Sequence, residues 1–267
     1  MGGSPTPSVF CALAFYFVSL LGLVQIVRAQ NGTTPPSEVS ALNSVFSQWK
    51  IRPTYYQWNI SGEPCNGAAI DTTVLWNIDS TDYNPGIRCD CNGTVCHITQ
   101  LKVYALDVVG GIPEELWSLT SLYSLNLALN YLTGPLSPSI ANLTQMQYLS
   151  LGINVLSGEV PKELGKLTNL IVLYVILEFV PTSTVLELVE LFHLHLLLYK
   201  TSQECKRWGS NNELTGSIPG FIGSWSKLSS LRFQGNAFES GIPSTFSKLT
   251  SLTDLWVLTL STSFLHV

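Results

Sequence analysis

Apolar residues recur along most of this chain in a frame that repeats every 24 residues. Counted from a marker position, apolar residues stand at −8, −5, −3, +2, +6, +10 and +13, with glycine often at +4 and proline often at +7. The markers are Leu106, Asn130, Asn154, Glu178, Asn212 and Asn236, with a slip of 10 residues between the fourth and the fifth. A fixed period of this length predicts stacked structural units that bury their apolar faces against one another.

The first half of each repeat predicts a short β-strand with one buried face. Leu125 and Leu127 alternate with Ser124, Asn126 and Ala128, which is the spacing of a strand that lies against a core. Parallel stacking of such strands builds a sheet whose outer side is concave. The marker asparagine then places a side-chain amide where it can satisfy backbone groups of the next coil. The glycine and proline that follow exclude one long helix in the second half.

The frame resembles the plant-type leucine-rich repeat, L-x-x-L-x-x-L-x-L-x-x-N-x-L-x-G-x-I-P, and its best matches run from Leu143 to Leu167 and from Asn212 to Pro219. The stretch from Cys96 to Pro113 is similar to the start of the ectodomain in plant leucine-rich-repeat receptor-like kinases that also carry a malectin-like domain. The resemblance covers roughly residues 37–173 and 211–257. It implies an α/β solenoid of plant-type leucine-rich repeats behind a disulfide-bonded N-terminal cap, truncated before a membrane span and a kinase.

The chain divides into five expected segments. Residues 1–29 are expected to be a signal peptide, because Phe10 to Val27 is almost wholly apolar and Ala29 ends a stretch that suits cleavage before Gln30. An uncleaved signal anchor is the alternative. Residues 30–97 form the expected cap, 98–175 the first repeats, 176–210 an aberrant apolar insert, and 211–267 further repeats with an irregular C-terminus.

The cap is expected to begin with a short helix after Pro36 and to be held by disulfides. Val39, Leu42, Val45 or Phe46, and Trp49 recur at helical spacing. Four cysteines cluster before the first repeat, and in an oxidising compartment they predict two disulfides. They are Cys65, Cys89, Cys91 and Cys96. Three pairings are open, with Cys89–Cys91 disfavoured on geometry. A zinc site that uses three of the thiols and His97 is the alternative.

Four N-glycosylation sequons accompany the leader and favour secretion. Their asparagines are Asn31, Asn59, Asn92 and Asn142. Asn142 lies between the +10 and +13 positions of its repeat, so its side chain is expected to point to solvent.

The segment 176–210 breaks the repeat. Leu170, Leu173 and Val175 begin a repeat at the expected 24-residue spacing. Glu178 then replaces the marker asparagine, and no G-x-I-P follows. The positions before Asn212 do not fit a strand, so the repeat is expected to resume there with its strand half missing. Three explanations are open: an insertion loop, a helix packed on the solenoid, or translated intron or frameshifted sequence. The abrupt change in composition favours the third.

Composition and motifs favour recognition over catalysis. Charged residues make up 12% of the chain, the net charge is −5, and no basic run suggests nucleic acid. No phosphate-binding loop, kinase motif or catalytic triad is present, so we expect no enzyme activity, no cofactor and no metal. Membrane attachment is expected only through an uncleaved signal or a longer form of the protein. The expected location is secreted or on the extracellular face of the plasma membrane.

The outward strand positions form the expected binding surface. They are Ser124, Asn126, Ala128, Tyr148, Ser150, Gly152, Val172, Tyr174, Ser230, Arg232, Gln234, Asp254 and Trp256. Tyrosine, tryptophan and arginine are the usual anchors of protein interfaces, which selects Tyr148, Tyr174, Arg232 and Trp256 as ligand contacts. The expected partner is a peptide, a protein or a cell-wall-derived ligand, together with a co-receptor. The alternatives are a secreted inhibitor of a pathogen enzyme and a truncated product without function.

Overall fold

The computed structural model describes residues 32–52, 62–70, 84–175, 212–233, 235–259 and 262–266. The expected leader, Asn31, Asn59, Gln234 and the segment 176–210 lie outside these residues. Among the helices of the described part, none is long and apolar enough to cross a membrane.

The cap begins with helix α1, Pro36–Gln48, which has proline in its first turn, where the missing N–H costs nothing. The side chains of Leu42, Val45 and Phe46 lie on the inner face of the helix and are at most 1% exposed. Glu38 in the first turn accepts hydrogen bonds from the backbone N–H of Ile98, at 2.8 Å, and from His97. The predicted helix is therefore present, and a buried carboxylate ties it to the first long strand of the solenoid.

Two disulfides complete the cap. Cys65 is bonded to Cys89, and Cys91 is bonded to Cys96. The second bond closes the hairpin of β1, Gly86–Asn92, and β2, Val95–Lys102. The prediction of a disulfide-bonded cap is confirmed. The zinc alternative is wrong, because these bonds consume the thiols that would have held the metal.

The concave sheet continues from β1 and β2 through β4 Ser124–Asn126, β6 Tyr148–Ser150, β8 Val172–Tyr174, β10 Ser230–Arg232, β12 Asp254–Thr259 and β13 Thr262–His266. In the described part of the chain its eight strands have the order β1-β2-β4-β6-β8-β10-β12-β13. Neighbouring strands from β2 to β12 are parallel, and the hairpins β1–β2 and β12–β13 are antiparallel. One leucine of each parallel strand pairs in register with the next and faces the core. These are Leu101, Leu125, Leu149, Leu173, Leu231 and Leu255.

A second sheet, which the sequence did not predict, lies after the marker positions. Its strands are β3 Val109–Gly110, β5 Tyr131–Gly134, β7 Val155–Glu159, β9 Glu213–Gly216 and β11 Ala237–Phe238. They lie in the order β11-β9-β7-β5-β3. Short 3-10 helices then return the chain along the convex side. They are Glu114–Ser118, Pro138–Asn142, Lys162–Lys166, Gly220–Ser224 and Ser244–Lys248, and another, Gly67–Ile70, lies in the cap.

The marker asparagines form a buried ladder of hydrogen bonds. Asn130 donates to the carbonyl oxygens of Val103, at 2.7 Å, and of Leu127, at 3.0 Å. Its side-chain oxygen accepts from the backbone N–H of Leu106 and Val108, each at 3.1 Å. The amide of Asn130 therefore satisfies backbone groups of its own coil and of the preceding coil. The sequence predicted hydrogen-bond partners in the next coil instead.

Glu178, the fourth marker position in the linear register, lies outside the described residues, and Asn212 makes the hydrogen bonds of a marker after Val175. Asn212 donates to the carbonyl oxygen of Val175, at 2.7 Å, and so completes the repeat that Leu170 begins. The expectation that the repeat at Asn212 lacks its strand half was wrong, because β8 supplies that half. Strand β8 pairs with β10, and β7 with β9, although residues 176–211 separate them in the sequence. A fixed spacing counted along the sequence cannot predict such pairing.

Candidate recognition surface

The outward positions of the concave sheet form two rows. The register places Gln100, Ser124, Tyr148, Val172, Ser230 and Asp254 in what we call the first row. It places Lys102, Asn126, Ser150, Tyr174, Arg232 and Trp256 in the second row. Neighbouring positions in a row are one strand apart, about 4.8 Å. Side chains of consecutive repeats can therefore contact one another along a row.

Arg232 lies between two aromatic side chains of the second row. Its guanidinium carbon is 4.9 Å from the centre of the Tyr174 ring and 5.6 Å from that of Trp256. Both distances are within the range of cation–π attraction, which contributes about 0.5–1 kcal/mol at an exposed site. The Arg232 side chain is 19% exposed. The rings thus hold a flat cationic group at the surface in one orientation.

Asp254 in the first row fixes this group from the side. Its carboxylate accepts from Arg232 Nε at 2.9 Å, from Ser230 Oγ at 2.5 Å and from Trp256 Nε1 at 2.6 Å. Burial raises the pKa of Asp254, but these hydrogen bonds and the charge of Arg232 outweigh it and hold the pKa below its ordinary value. The Ser230 and Tyr174 hydroxyl oxygens are 3.2 Å apart, and because the one hydroxyl proton of Ser230 goes to Asp254, Tyr174 is the donor in this hydrogen bond. We call Tyr174, Ser230, Arg232, Asp254 and Trp256 the arginine cluster.

The structure brings together three of the four predicted ligand contacts. Tyr174, Arg232 and Trp256 are neighbours, whereas Tyr148 lies in the first row between Ser124 and Val172. Sequence reasoning placed Asp254 and Ser230 on the concave face but did not select them. The opposite charges of Arg232 and Asp254, on outward positions of consecutive repeats, were a signal that could have found the pair.

Several positions expected to be exposed are buried. Ser124 is 3% exposed, and Asn126 and Ser150 are each 1% exposed. Short side chains are recessed between longer neighbours in the rows, as Ser124 is between Gln100 and Tyr148. The accessible part of the predicted surface is therefore narrower than the sequence suggested. It includes the partly exposed members of the arginine cluster, Tyr174, Arg232, Asp254 and Trp256, whereas Ser230 is buried.

Three buried polar atoms of the rows make no hydrogen bond within the described part of the chain. They are Gln100 Oε1, Asn126 Nδ2 and Ser150 Oγ. Asn126 uses its side-chain oxygen to accept from the backbone N–H of Ala128, at 3.1 Å. Buried polar atoms without a partner are uncommon in folded proteins, because each loses its hydrogen bonds to water.

The exposure of two sequons is consistent with their expected role. Asn142 ends a 3-10 helix and is exposed, as its place in the repeat predicted, and Asn92 is exposed beside the tip of the β1–β2 hairpin. Modification at either residue stays a prediction. Among the described residues, no three His, Cys, Asp or Glu side chains lie close enough to hold a metal ion.

Comparison with known proteins identifies the relatives of this repeat array. Two probable receptor kinases of Arabidopsis thaliana are 55% and 53% identical to the chain over 117 residues, which is 41% of this chain. Its sequence relatives are leucine-rich-repeat receptor-like serine/threonine-protein kinases. The match spans 11% of the length of each of these two relatives. No family model matches the chain.

Solved structures confirm the fold. The leucine-rich-repeat ectodomain of the Arabidopsis receptor kinase SOBIR1 is similar, with a TM-score of 0.56, 18% identity and coverage of 83% of this chain and 91% of that one. The Arabidopsis BIR2 ectodomain has a TM-score of 0.50, 21% identity and coverage of 79% and 85%. The HAESA ectodomain, solved with a peptide hormone, has a TM-score of 0.51, 22% identity and coverage of 82% and 28%. The solenoid is thus that of plant receptor-kinase ectodomains.

Proposed function

We propose that this chain is an extracellular recognition module that binds a peptide or protein ligand on its concave face, as part of a receptor-like kinase ectodomain. The arginine cluster carries the proposal. Aromatic side chains and arginine dominate the binding energy of protein interfaces, and an anchor held in place before binding loses little entropy when the ligand arrives. The ion pair and the two cation–π contacts hold Arg232 in this way, and the hydrogen bond between Tyr174 and Ser230 fixes one of the two rings.

The accessible side chains of the arginine cluster support a peptide or protein as the ligand. A guanidinium held between two aromatic rings can bind a carboxylate or a backbone carbonyl oxygen, and a peptide offers both. The HAESA ectodomain, which shares the fold, is described in complex with a peptide hormone.

We propose that this module contributes binding and that the kinase activity for which the relatives are named belongs to another part of those longer proteins. The proposed location is the extracellular side of the plasma membrane or the secreted fraction, and the proposed further partner is a co-receptor ectodomain.

The proposal is tested by selecting ligands from a random peptide library displayed on phage, with the secreted chain as bait. The enriched pool is then measured against Arg232→Met and against Lys162→Met. Lys162 is exposed in a convex 3-10 helix, so both changes remove one positive charge, but only the first alters the arginine cluster. We expect Arg232→Met to lose at least about 10-fold in affinity, as hot-spot residues do, and Lys162→Met to bind as the wild type does. Equal binding by the two variants, or no enrichment at all, would contradict the proposal.

A further inference from the structure

One repeat of the solenoid is built from two segments that are far apart in the sequence. Its strand half is β8, and its second half begins at Asn212. In the concave sheet β8 pairs with β6 and with β10, and in the second sheet β9 pairs with β7 and with β11. Both sheets therefore pass through this repeat with no strand missing between β6 and β10 or between β7 and β11.

The side chain of Asn212 makes the bonds of a marker asparagine. Asn154 donates to the carbonyl oxygens of Leu127 and Leu151, each at 3.0 Å. One repeat later, Asn212 donates to the carbonyl oxygens of Leu151, at 3.0 Å, and Val175, at 2.7 Å.

The acceptor side of the amide matches as well. Leu132 donates its backbone N–H to Asn154 Oδ1 at 3.0 Å, and Leu156 donates to Asn212 Oδ1 at 3.0 Å. Asn212 is 3% exposed, so these bonds are made inside the core. The amide of Asn212 thus stands in the same relation to Val175 as the amide of Asn154 does to Leu151.

The join between the two halves is short in other repeats. Gly152 and Ile153 alone connect Leu151 to Asn154. In the repeat that begins at Leu170, residues 176–211 stand between Val175 and Asn212, the positions that correspond to Leu151 and Asn154. Because Asn212 Nδ2 reaches the carbonyl oxygen of Val175, the two ends of that segment are as close as the ends of a two-residue join.

We propose that residues 176–209 are an insertion inside a single repeat, that the solenoid does not need them, and that the chain without them forms an uninterrupted array. Ser210 and Asn211 would then join Val175 to Asn212, as Gly152 and Ile153 join Leu151 to Asn154. Closing a long segment between two fixed ends costs conformational entropy, and a two-residue join avoids most of that cost. The shorter chain is therefore at least as stable as the full one.

Two deletions of equal length test the inference. Deletion of 176–209 keeps Asn212 at the marker position, whereas deletion of 179–212 keeps Glu178 there and places a carboxylate among buried carbonyl oxygens. We expect the first variant to unfold cooperatively with a Tm at or above that of the full chain. The second is expected to have a Tm lower than the first by at least about 5 °C. Equal Tm values for the two deletions, or a first variant that aggregates while the full chain is monomeric, would overturn the inference.

A second measurement avoids deletion altogether. Hydrogen exchange at the Leu156 amide in the full chain is expected to be as slow as at the Leu132 amide, and to speed up at least about 10-fold in Asn212→Ala. Fast exchange at Leu156 in the wild type would show that Asn212 does not complete the repeat. Neither measurement uses a ligand, so its failure would leave the proposed recognition function untouched.

Discussion

Arg232 Nε lies 2.9 Å from the carboxylate of Asp254, which stands on the next parallel strand and in the other row of the concave sheet. The pair joins the two rows at one point, and Tyr174 and Trp256 flank the guanidinium on its two sides. An arginine in this position presents a fixed cationic plane, which a lysine cannot reproduce.

Replacing Arg232 by lysine is expected to keep the charge but to lose the stacking on both rings. Because each of the two cation–π contacts contributes about 1 kcal/mol or less and lysine keeps a charge beside Asp254, the free energy of unfolding should fall by less than about 2 kcal/mol. The environment of Trp256 should change clearly, and near-ultraviolet circular dichroism measures it. An unchanged aromatic spectrum would show that Arg232 does not pack against the rings in solution.

Asp254 is expected to make stability depend on pH in acid. Its pKa is lower in the folded chain than the ordinary value of 3.8, so the folded state favours the charged carboxylate. The stabilisation is therefore present above the ordinary value and is lost as the pH falls through the lowered pKa. Chemical denaturation of the wild type and Asp254→Asn, from pH 6 down to about pH 2.5, should show a stability difference that shrinks as the pH falls. A difference that is constant with pH would rule out this role.

Replacing Asn154 by alanine is expected to cost about 1–3 kcal/mol, because the buried Leu132 N–H loses its acceptor and the carbonyl oxygens of Leu127 and Leu151 each lose one of two asparagine donors. The matched control is Asn169→Ala, which removes an amide from the exposed convex side, where it bonds Thr144 and Lys227. The control should cost under about 1 kcal/mol, since water can replace those bonds. Urea denaturation compares the two, and similar losses would contradict a special role for the buried ladder.

The two cap disulfides are expected to contribute unequally. Cys65 and Cys89 are 24 residues apart, whereas Cys91 and Cys96 are 5 apart. In the chain-entropy model the longer loop gives about 3.5 kcal/mol and the shorter about 2 kcal/mol. Paired serine substitutions at each bond, compared by thermal denaturation, should therefore lower the Tm more for Cys65–Cys89. The reverse order would indicate that the cap retains structure in the unfolded chain.

Glycans are expected at Asn92 and Asn142 when the chain passes through the secretory pathway. Both side chains are exposed, and neither lies in the arginine cluster. Removal of glycans with an endoglycosidase should shift the mass of the wild type, and Asn142→Gln should remove one glycan without changing ligand binding. An unshifted mass in a secreted preparation would contradict the prediction.

The sequence by itself determined the repeat, the strand faces and the cap helix. These features depend on local periodicity, since Leu125, Leu149 and Leu173 recur at a fixed spacing and each must face the core. The helix over Pro36–Gln48 follows in the same way from apolar positions at helical spacing. The presence of disulfides in the cap was predictable from four clustered cysteines in a chain with secretory features.

Only the tertiary structure decided which groups meet across the repeats. The pairing of Cys65 with Cys89 and the completion of a repeat by Asn212 join residues that the repeat spacing does not relate. The repeat spacing does place Asp254 one strand from Arg232, but only the structure shows that their side chains form an ion pair across the two rows. The second sheet was also visible only in the tertiary structure, because strands as short as Val109–Gly110 contain too few residues to show a two-residue period in the sequence. Local pattern fixes the direction in which a side chain faces, whereas the stacking of coils fixes its neighbours.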